Sequence, residues 1–311
     1  MRKNVLKIGY LFMIAVIVAF ANSCKQTNKD DGKETILKGK TTILVDETFL
    51  PLIEDQVTVF QSKYKADITV QGKSENELIQ SFLKDTSRIV VLSRVLSANE
   101  NKYFEQLKIK PKVTPIGKDA IALISNRSNK DTLIALQDVI SFMRGSEIKG
   151  IKGLVFDNPN SSTVRYMNEL AGLTALPAKN VYSFKTNKEV VKFIAENEGM
   201  IGFVGLNYLY QPTEAVASNL KNINVLSVKD SGKNDYFAPS QNNLAEGTYP
   251  LARDLYIINC QGYSGLGMGF ASFVAGDIGQ RIILKSGLLP IRTPGRKVNF
   301  ITNKKKEKEN E

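Results

Sequence analysis

Apolar residues recur along this chain at two spacings, and the two alternate. Thr41–Val45 is a β-branched, apolar run. Pro51 then opens a segment in which Ile53, Val57, Phe60 and Tyr64 fall at helical spacing. Asp67–Val70 reads as a second short strand. Ser74-Glu75-Asn76-Glu77 has the form of a capping box, ahead of a helix lined by Leu78, Ile79, Phe82 and Leu83. Arg88–Leu92 reads as a third strand, and Ser97-Ala98-Asn99-Glu100 starts a helix through Leu107 in the same way.

The rhythm continues. Ala120–Ile124, Gly153–Phe156, Met200–Val204 and Leu255–Ile258 predict strands. Helices are predicted over Leu133–Met143 and Thr163–Leu173, the latter facing inward through Val164, Met167 and Ala171. A third capping box, Thr186-Asn187-Lys188-Glu189, leads into Val190, Val191 and Ile194, and two helices near Phe270–Val274 and Ile278–Leu284 close the pattern. Pro212–Tyr249 reads as loop-rich. Strands alternating with helices predict an α/β protein with mostly parallel sheets. Gly265, Gly267 and Gly269 lack the Lys-Ser/Thr of a phosphate loop, so close helix packing accounts for them.

The first residues break this rhythm. Arg2, Lys3 and Lys7 precede the uncharged stretch Ile8–Ala21. That is short of the ~20 residues of a membrane span and suits the apolar part of a secretory leader. Ala21-Asn22-Ser23-Cys24 resembles a bacterial lipobox. The resemblance implies a signal peptide over 1–23, cleavage before Cys24, lipid on Cys24, and a tether over 24–39. The chain is then expected as a lipoprotein on the extracytoplasmic side of a membrane, with inner membrane, outer membrane and cell surface all open. Residues 303–311 form a charged tail.

Composition removes whole classes of function. The 311 residues include no histidine, which excludes Ser-His-Asp triads, Cys-His dyads and His-based metal sites. No lysine stands three residues after Ser74 or Ser162, so a Ser-Lys hydrolase has no basis there. We expect no enzyme, no cofactor and no metal. The net charge of +11 includes the leader's three cations, and the other basic residues are spread out without a nucleic-acid motif, so nucleic acid is not expected as a partner. Cys260, in an apolar run, reads as a small buried residue.

Four junctions share one design: a strand ends, a short polar loop follows, a helix begins. They are Asp46-Glu47-Thr48, Gly72-Lys73-Ser74, Ser93-Arg94, and Asn160-Ser161-Ser162-Thr163. Helix N-termini offer free N–H groups and partial positive charge, and open α/β sheets bind ligands off the carboxyl ends of their strands. Converging, these loops would cage an anion. The candidates are Thr48, Lys73, Ser74, Ser93, Arg94, Ser161, Ser162 and Thr163. The plainer alternative is that each hydroxyl is only a helix cap and Arg94 only a surface ion pair.

Eight segments follow one another along the chain: Thr48-Phe49-Leu50-Pro51, Leu92–Glu100, Pro115–Ala122, Ser161-Ser162-Thr163, Gly199–Gly205, Thr248–Tyr256, Gly279–Ile283 and Gly287–Pro290. In this order they resemble the PstS-like phosphate-binding proteins of ABC importers. The resemblance implies a two-lobe, type 2 periplasmic binding protein fold. Lobe 1 would span 40–117 and 250–302, lobe 2 would span 118–249, and two crossing hinge strands would lie near Val113–Ala120 and Pro250–Ile258. It implies a monomer that binds phosphate or a similar oxyanion and works with ABC permease subunits. Asp46, Glu47 and Asp157 depart from the family's usual residues, so Arg94, with Lys73 or Arg165, is expected to supply positive charge. Either Glu47 or Asp157 would accept a hydrogen bond from hydrogen phosphate and repel sulfate, which has no proton to give. A binder of another oxyanion, or an anion-sensing or surface lipoprotein of the same fold without an import role, stays open.

Overall fold

The runs Ile43-Leu44-Val45 and Ile89–Leu92 carry apolar residues at every position, which a strand tolerates only when both its faces are covered. A computed structural model, which describes residues 34–84, 87–293 and 295, shows that covering. Ile43, Val45, Ile89 and Val91 face Leu52, Ile53, Val57, Phe60, Leu266 and Phe270. Leu44, Val90 and Leu92 face Leu78, Phe82 and Phe104 on the opposite side. The leader, Cys24, the tether up to residue 33 and the tail lie outside the described residues. Among the described residues, no helix is long and apolar enough to cross a membrane.

The strands are β1 (Lys38–Asp46), β2 (Lys65–Lys73), β3 (Ile89–Leu92), β4 (Lys112–Asn126), β5 (Leu133–Ala135) and β6 (Gly153–Phe156). They continue as β7 (Val181–Ser183), β8 (Met200–Gly205), β9 (Ile223–Val225), β10 (Ser227–Lys229), β11 (Ala252–Asn259) and β12 (Leu289–Pro290). Ten form one mixed sheet along the path β2-β1-β3-β11-β4-β8-β6-β7, with β9 and β12 also on β4, while β5 and β10 pair separately. β1 runs parallel to β2 and β3, and β6 runs parallel to β7 and β8. Between these parallel halves, β4 and β11 run antiparallel to their neighbours.

β4 explains the two-lobe layout. Its first part, through Ala120, pairs with β11, and its second part, Ile121–Ser125, pairs with β8. One continuous strand therefore serves both halves. β11 runs beside it with a register shift at Leu255/Tyr256.

Several sequence expectations change. The strand expected at Ala120–Ile124 is the second half of this longer one. Leu133–Ala135 is a strand rather than the start of a helix, which begins at Leu136. The Asp131 carboxylate holds the Leu133 N–H at 3.0 Å, and pairing with β10 outweighs the local helical pattern. Pro212–Tyr249 is not mainly loop: it holds helices Glu214–Leu220 and Gln241–Ala245 as well as β9 and β10. These elements are too short for periodicity to register. The capping boxes at Ser97 and Thr186 form. That at Ser74 does not, because the Ser74 hydroxyl donates to Glu77 Oε2 at 2.7 Å instead of accepting a backbone N–H. The glycines after Gly265 sit at a helix packed against the chain, where a Cβ on Gly269 would overlap the Ile36 carbonyl. Cys260 is fully buried.

Candidate functional site

Each half of the sheet ends its strands in polar loops that meet. At the end of β1, Asp46 Oδ1 accepts the Thr48 N–H at 3.0 Å and folds the chain into a short 3-10 turn. Pro51 then sits in the first turn of helix Leu50–Lys63, where its missing N–H has no intrahelical acceptor in any case. After β6, Asp157 begins a loop that ends with Ser161 capping helix Ser162–Ala171 by accepting the Val164 N–H at 3.2 Å. β8 ends at Gly205, where a Cβ would come within 2.8 Å of Thr48 Cγ2, so glycine permits the close approach of the two loops.

Arg253 of β11 lies at the centre, with its side chain 1% exposed. It stands directly opposite Asp119 in the antiparallel register, and its guanidinium forms a buried ion pair with that residue. It also donates to Ser162 Oγ at 3.2 Å and lies 5.4 Å from the centre of the Phe49 ring. The Ser162 hydroxyl also lowers the Asp46 carboxyl, against the effect of its burial.

The surrounding loops are locked by amides. Asp157 accepts from the Ser161 hydroxyl at 2.5 Å and from Asn187 at 2.9 Å, while Asn187 accepts the Gly205 N–H at 2.9 Å. Asn207 donates to the Thr48 carbonyl at 3.1 Å, and the Tyr208 hydroxyl donates to the Glu47 carbonyl at 3.0 Å. The last two bonds join loops from opposite halves of the sheet.

Three of the hydroxyls picked out from the sequence are buried here without a partner: Thr48 Oγ1, Ser93 Oγ and Thr163 Oγ1. Arg253 Nε is likewise buried and unpaired. A buried polar group without a partner costs roughly 1–3 kcal/mol. Each of these four groups has a hydrogen bond to offer to an acceptor oxygen from outside the protein.

The other expected residues are engaged. The Ser161 and Ser74 hydroxyls donate to Asp157 and Glu77. Lys73 donates to Ser81 at 2.7 Å. Arg94 donates to Glu75 at 2.6 Å and grips both Glu100 oxygens at 2.8 and 2.9 Å. Arg165 donates to the same Glu75 oxygen at 2.8 Å and grips Glu169. The structure thus brings Thr48, Ser93, Ser161, Ser162 and Thr163 to the meeting strand ends, and holds Arg94 and Lys73 in side-chain pairs.

Sequence reasoning gave no role to Arg253, Asp119, Asn187 or Asn207. Arg253 and Asp119 did leave a signal, as charges inside strands, but Lys118 and Asp254 beside them carry charge as well and pair with each other at 2.6 Å. A separate depression lined by Asn129, Asp131, Asp138, Lys149 and Tyr236 holds none of the unpaired buried donors.

Electrostatics set this site apart. Burial pushes the Asp157 carboxyl up to about 7, and the neighbouring Asp46 adds to the rise. Burial, then Asp157 and Asp46, likewise push Glu47 up to about 7. Burial raises Asp46 as well.

The chain is 23% identical to the phosphate-binding protein PstS of Pseudomonas aeruginosa over 265 residues, which cover 76% of this chain and 79% of that protein. Its fold matches an ABC-type phosphate transport receptor from Vibrio cholerae, with a TM-score of 0.62 at 17% identity, over 81% of this chain and all of that one. It also matches PstS from Borrelia burgdorferi, with a TM-score of 0.51 at 18% identity, over 82% and 99% of the two chains. The family model of the PBP superfamily domain matches residues 27–277. This chain, with its two-lobe α/β fold and its donors gathered at the strand ends, belongs to the PBP superfamily.

Proposed function

We propose that this chain is an extracytoplasmic solute-binding protein that captures phosphate between its lobes for an ABC importer. The observation that carries the reading is the set of buried, unpaired donors: Thr48, Ser93 and Thr163 hydroxyls with Arg253 Nε. The names of its relatives, PstS and a phosphate transport receptor, support phosphate as the guest. In this reading Thr48, Ser93, Ser162 and Thr163 bind the anion directly with Arg253. Ser161 and Ser74 shape the loops, and Lys73 and Arg94 stand at the rim. The protein carries out no turnover.

Lobe 2, residues 118–249, closes on lobe 1, residues 40–117 and 250–302, about β4 and β11. Closure removes the anion from water and strengthens each hydrogen bond to it. The closed monomer then docks on permease subunits. Lipid on Cys24 holds it at the membrane. Mass spectrometry of the native chain checks that anchor: a Cys24→Ser variant should keep its leader and lose the acyl mass.

Titration of the full chain in detergent with phosphate, arsenate, molybdate and sulfate tests the binding reading. Phosphate should bind and sulfate should not, since sulfate brings no proton to the carboxyls beside the donors. Equal binding of both would remove the role given to those carboxyls. Absence of phosphate binding would remove the reading itself.

A further inference from the structure

The glycines at 265 and 269 have a use that the anion site does not explain. They lie one turn apart at the start of helix Leu266–Val274. A Cβ on Gly265 would overlap the Glu34 carboxylate, and one on Gly269 would overlap the Ile36 carbonyl. Without those carbons, residues 34–36 lie flat against the helix. Glu34 is fixed there by three bonds: it accepts from the Leu266 N–H at 2.5 Å, from Gln261 at 2.9 Å and from the Tyr263 hydroxyl at 2.9 Å.

With the backbone held in this way, the Ile36 and Leu37 side chains stay outside, 43% and 42% exposed. They border an apolar groove of about 290 Å³ that is lined also by Phe60, Tyr64, Met268 and Phe273. Phe60 packs against Tyr64 and Phe273, with ring centres 4.8 and 5.3 Å apart, so the floor of the groove is aromatic and well supported. Lys63 and Lys65 flank Tyr64 and are exposed. Among the described residues neither is in an ion pair, while Asp67 of β2 is neutralised by Lys40 at 2.9 Å.

This face stands at the amino ends of β1 and β2, whereas Asp46 and Lys73 end those strands on the other side. The length of β1 alone, nine residues at ~3.3 Å each, puts roughly 25–30 Å between the groove and the anion site. The chain enters the folded body here, and the residue steps from Cys24 to Glu34 span at most ~35 Å. A lipid on Cys24 therefore ties the molecule to a bilayer at this face. Tethering also raises the local concentration of membrane, so a modest patch suffices to hold it.

We propose that this face of lobe 1 is a membrane seat, and that its partner is a phospholipid surface of negative charge. Ile36, Leu37 and the groove meet the acyl boundary, the Tyr64 ring lies at the interface, and Lys63 and Lys65 meet the anionic headgroups. A seated molecule points its anion cleft away from the bilayer. The seat goes beyond the phosphate reading and rests only on the lipid proposed at Cys24.

A nitroxide on Ser272→Cys, at the exposed edge of the groove, tests this in the full chain reconstituted in vesicles of phosphatidylethanolamine with one-quarter phosphatidylglycerol. Cys260 is fully buried and Cys24 is acylated in this reading, which leaves the new thiol for labelling. A label on Ser218→Cys, exposed on helix Glu214–Leu220 of lobe 2, serves as the reference. The Ser272 label should lose access to a water-soluble nickel chelate several-fold and gain access to oxygen, while the Ser218 label keeps the values of water. On vesicles of phosphatidylcholine alone the exclusion should largely disappear. Leu37→Glu, and separately Lys63→Glu with Lys65→Glu, should restore nickel access without changing phosphate affinity. The lysine pair is wholly on the surface, so the test stands even where Leu37→Glu fails to fold. Open nickel access at Ser272 on both kinds of vesicle overturns the seat, as does exclusion of equal size on phosphatidylcholine. Mutual broadening of the Ser272 labels, which marks a second copy in the groove, overturns it too. The acyl mass on Cys24 is measured in the same preparation: an anchored chain with Ser272 in water removes the seat alone, and a chain without the acyl mass removes the anchor on which it rests.

Discussion

Two polar regions of this molecule contain arginine, and they treat it in opposite ways. At the rim, Glu75 accepts from Arg94 and Arg165 through one oxygen, Glu100 accepts from both Arg94 Nη atoms, and Glu169 accepts from Arg165 Nη1. The Arg94 and Arg165 side chains remain about a quarter exposed. In the inner cluster, Arg253 is buried and keeps one N–H unpaired, and the buried hydroxyls of Thr48, Ser93 and Thr163 at the strand ends also lack partners. A region whose guanidinium groups each hold two carboxylates is built to hold protein to protein. A region that buries donors and leaves them unused is built for something else. Arg94 resembled a ligand-binding arginine in its sequence context, and its guanidinium is held here by Glu75, Glu100 and the Val95 carbonyl.

The sharpest way to break this comparison is to remove Arg253. Arg253→Met strands Asp119 as a buried, uncompensated carboxyl, which typically costs 3–5 kcal/mol. Thermal unfolding should drop by on the order of 10 °C, and phosphate binding should vanish. Adding Asp119→Asn should restore most of the stability without restoring binding. Should the double variant bind phosphate as well as the unaltered chain, Arg253 holds the fold and has no place in the site.

Next in size is a pair of hydroxyl deletions. Thr163→Val and Thr48→Val keep shape and remove an oxygen that has no partner within the protein. Loss of an unsatisfied buried group is neutral or stabilising, so the melting temperature should hold or rise. Affinity for phosphate should fall by ten- to a hundredfold, the scale of a hydrogen bond to a charged group at about 1.5–3 kcal/mol. A structural hydroxyl would give the reverse split, with stability lost and affinity kept. Ser161→Ala is the internal control, since its hydroxyl already serves Asp157 and the Val164 N–H.

These contrasts show where sequence reading works. The alternation of β1 and β3 with their helices was legible because both faces of those strands are covered, which writes a continuous apolar run into the chain. The hydroxyls of Thr48, Ser93 and Thr163 were legible because they stand at strand-to-helix junctions, a local feature. Arg253 and Asp119 are opposite each other only through the register of two strands more than a hundred residues apart. The pairing of Arg94 was illegible for the same reason, as Glu75 reaches it through a fold that local spacing does not reveal. The short elements after Pro212 escaped because three-residue strands carry too few positions to display a period.

The smallest expected effect lies at the rim. Glu75→Gln keeps an oxygen that can accept from Arg94 and Arg165 but removes its charge. The loss should be about 1 kcal/mol, the difference between a charged and a neutral hydrogen bond. Glu75 lies on one half of the molecule and Arg165 on the other, as do Asn76 and Asn160, whose side chains bond at 3.2 Å. That loss should therefore be felt in lobe closure before overall stability. Small-angle scattering without phosphate should show a larger radius of gyration for Glu75→Gln than for the unaltered chain, and phosphate should narrow the gap. Salt should act in the same direction on the unaltered chain, because these partly exposed pairs are open to screening. If Glu75→Gln instead abolishes phosphate binding while the radius stays unchanged, the rim belongs to the binding site, and the distinction between used and unused donors no longer separates the two regions.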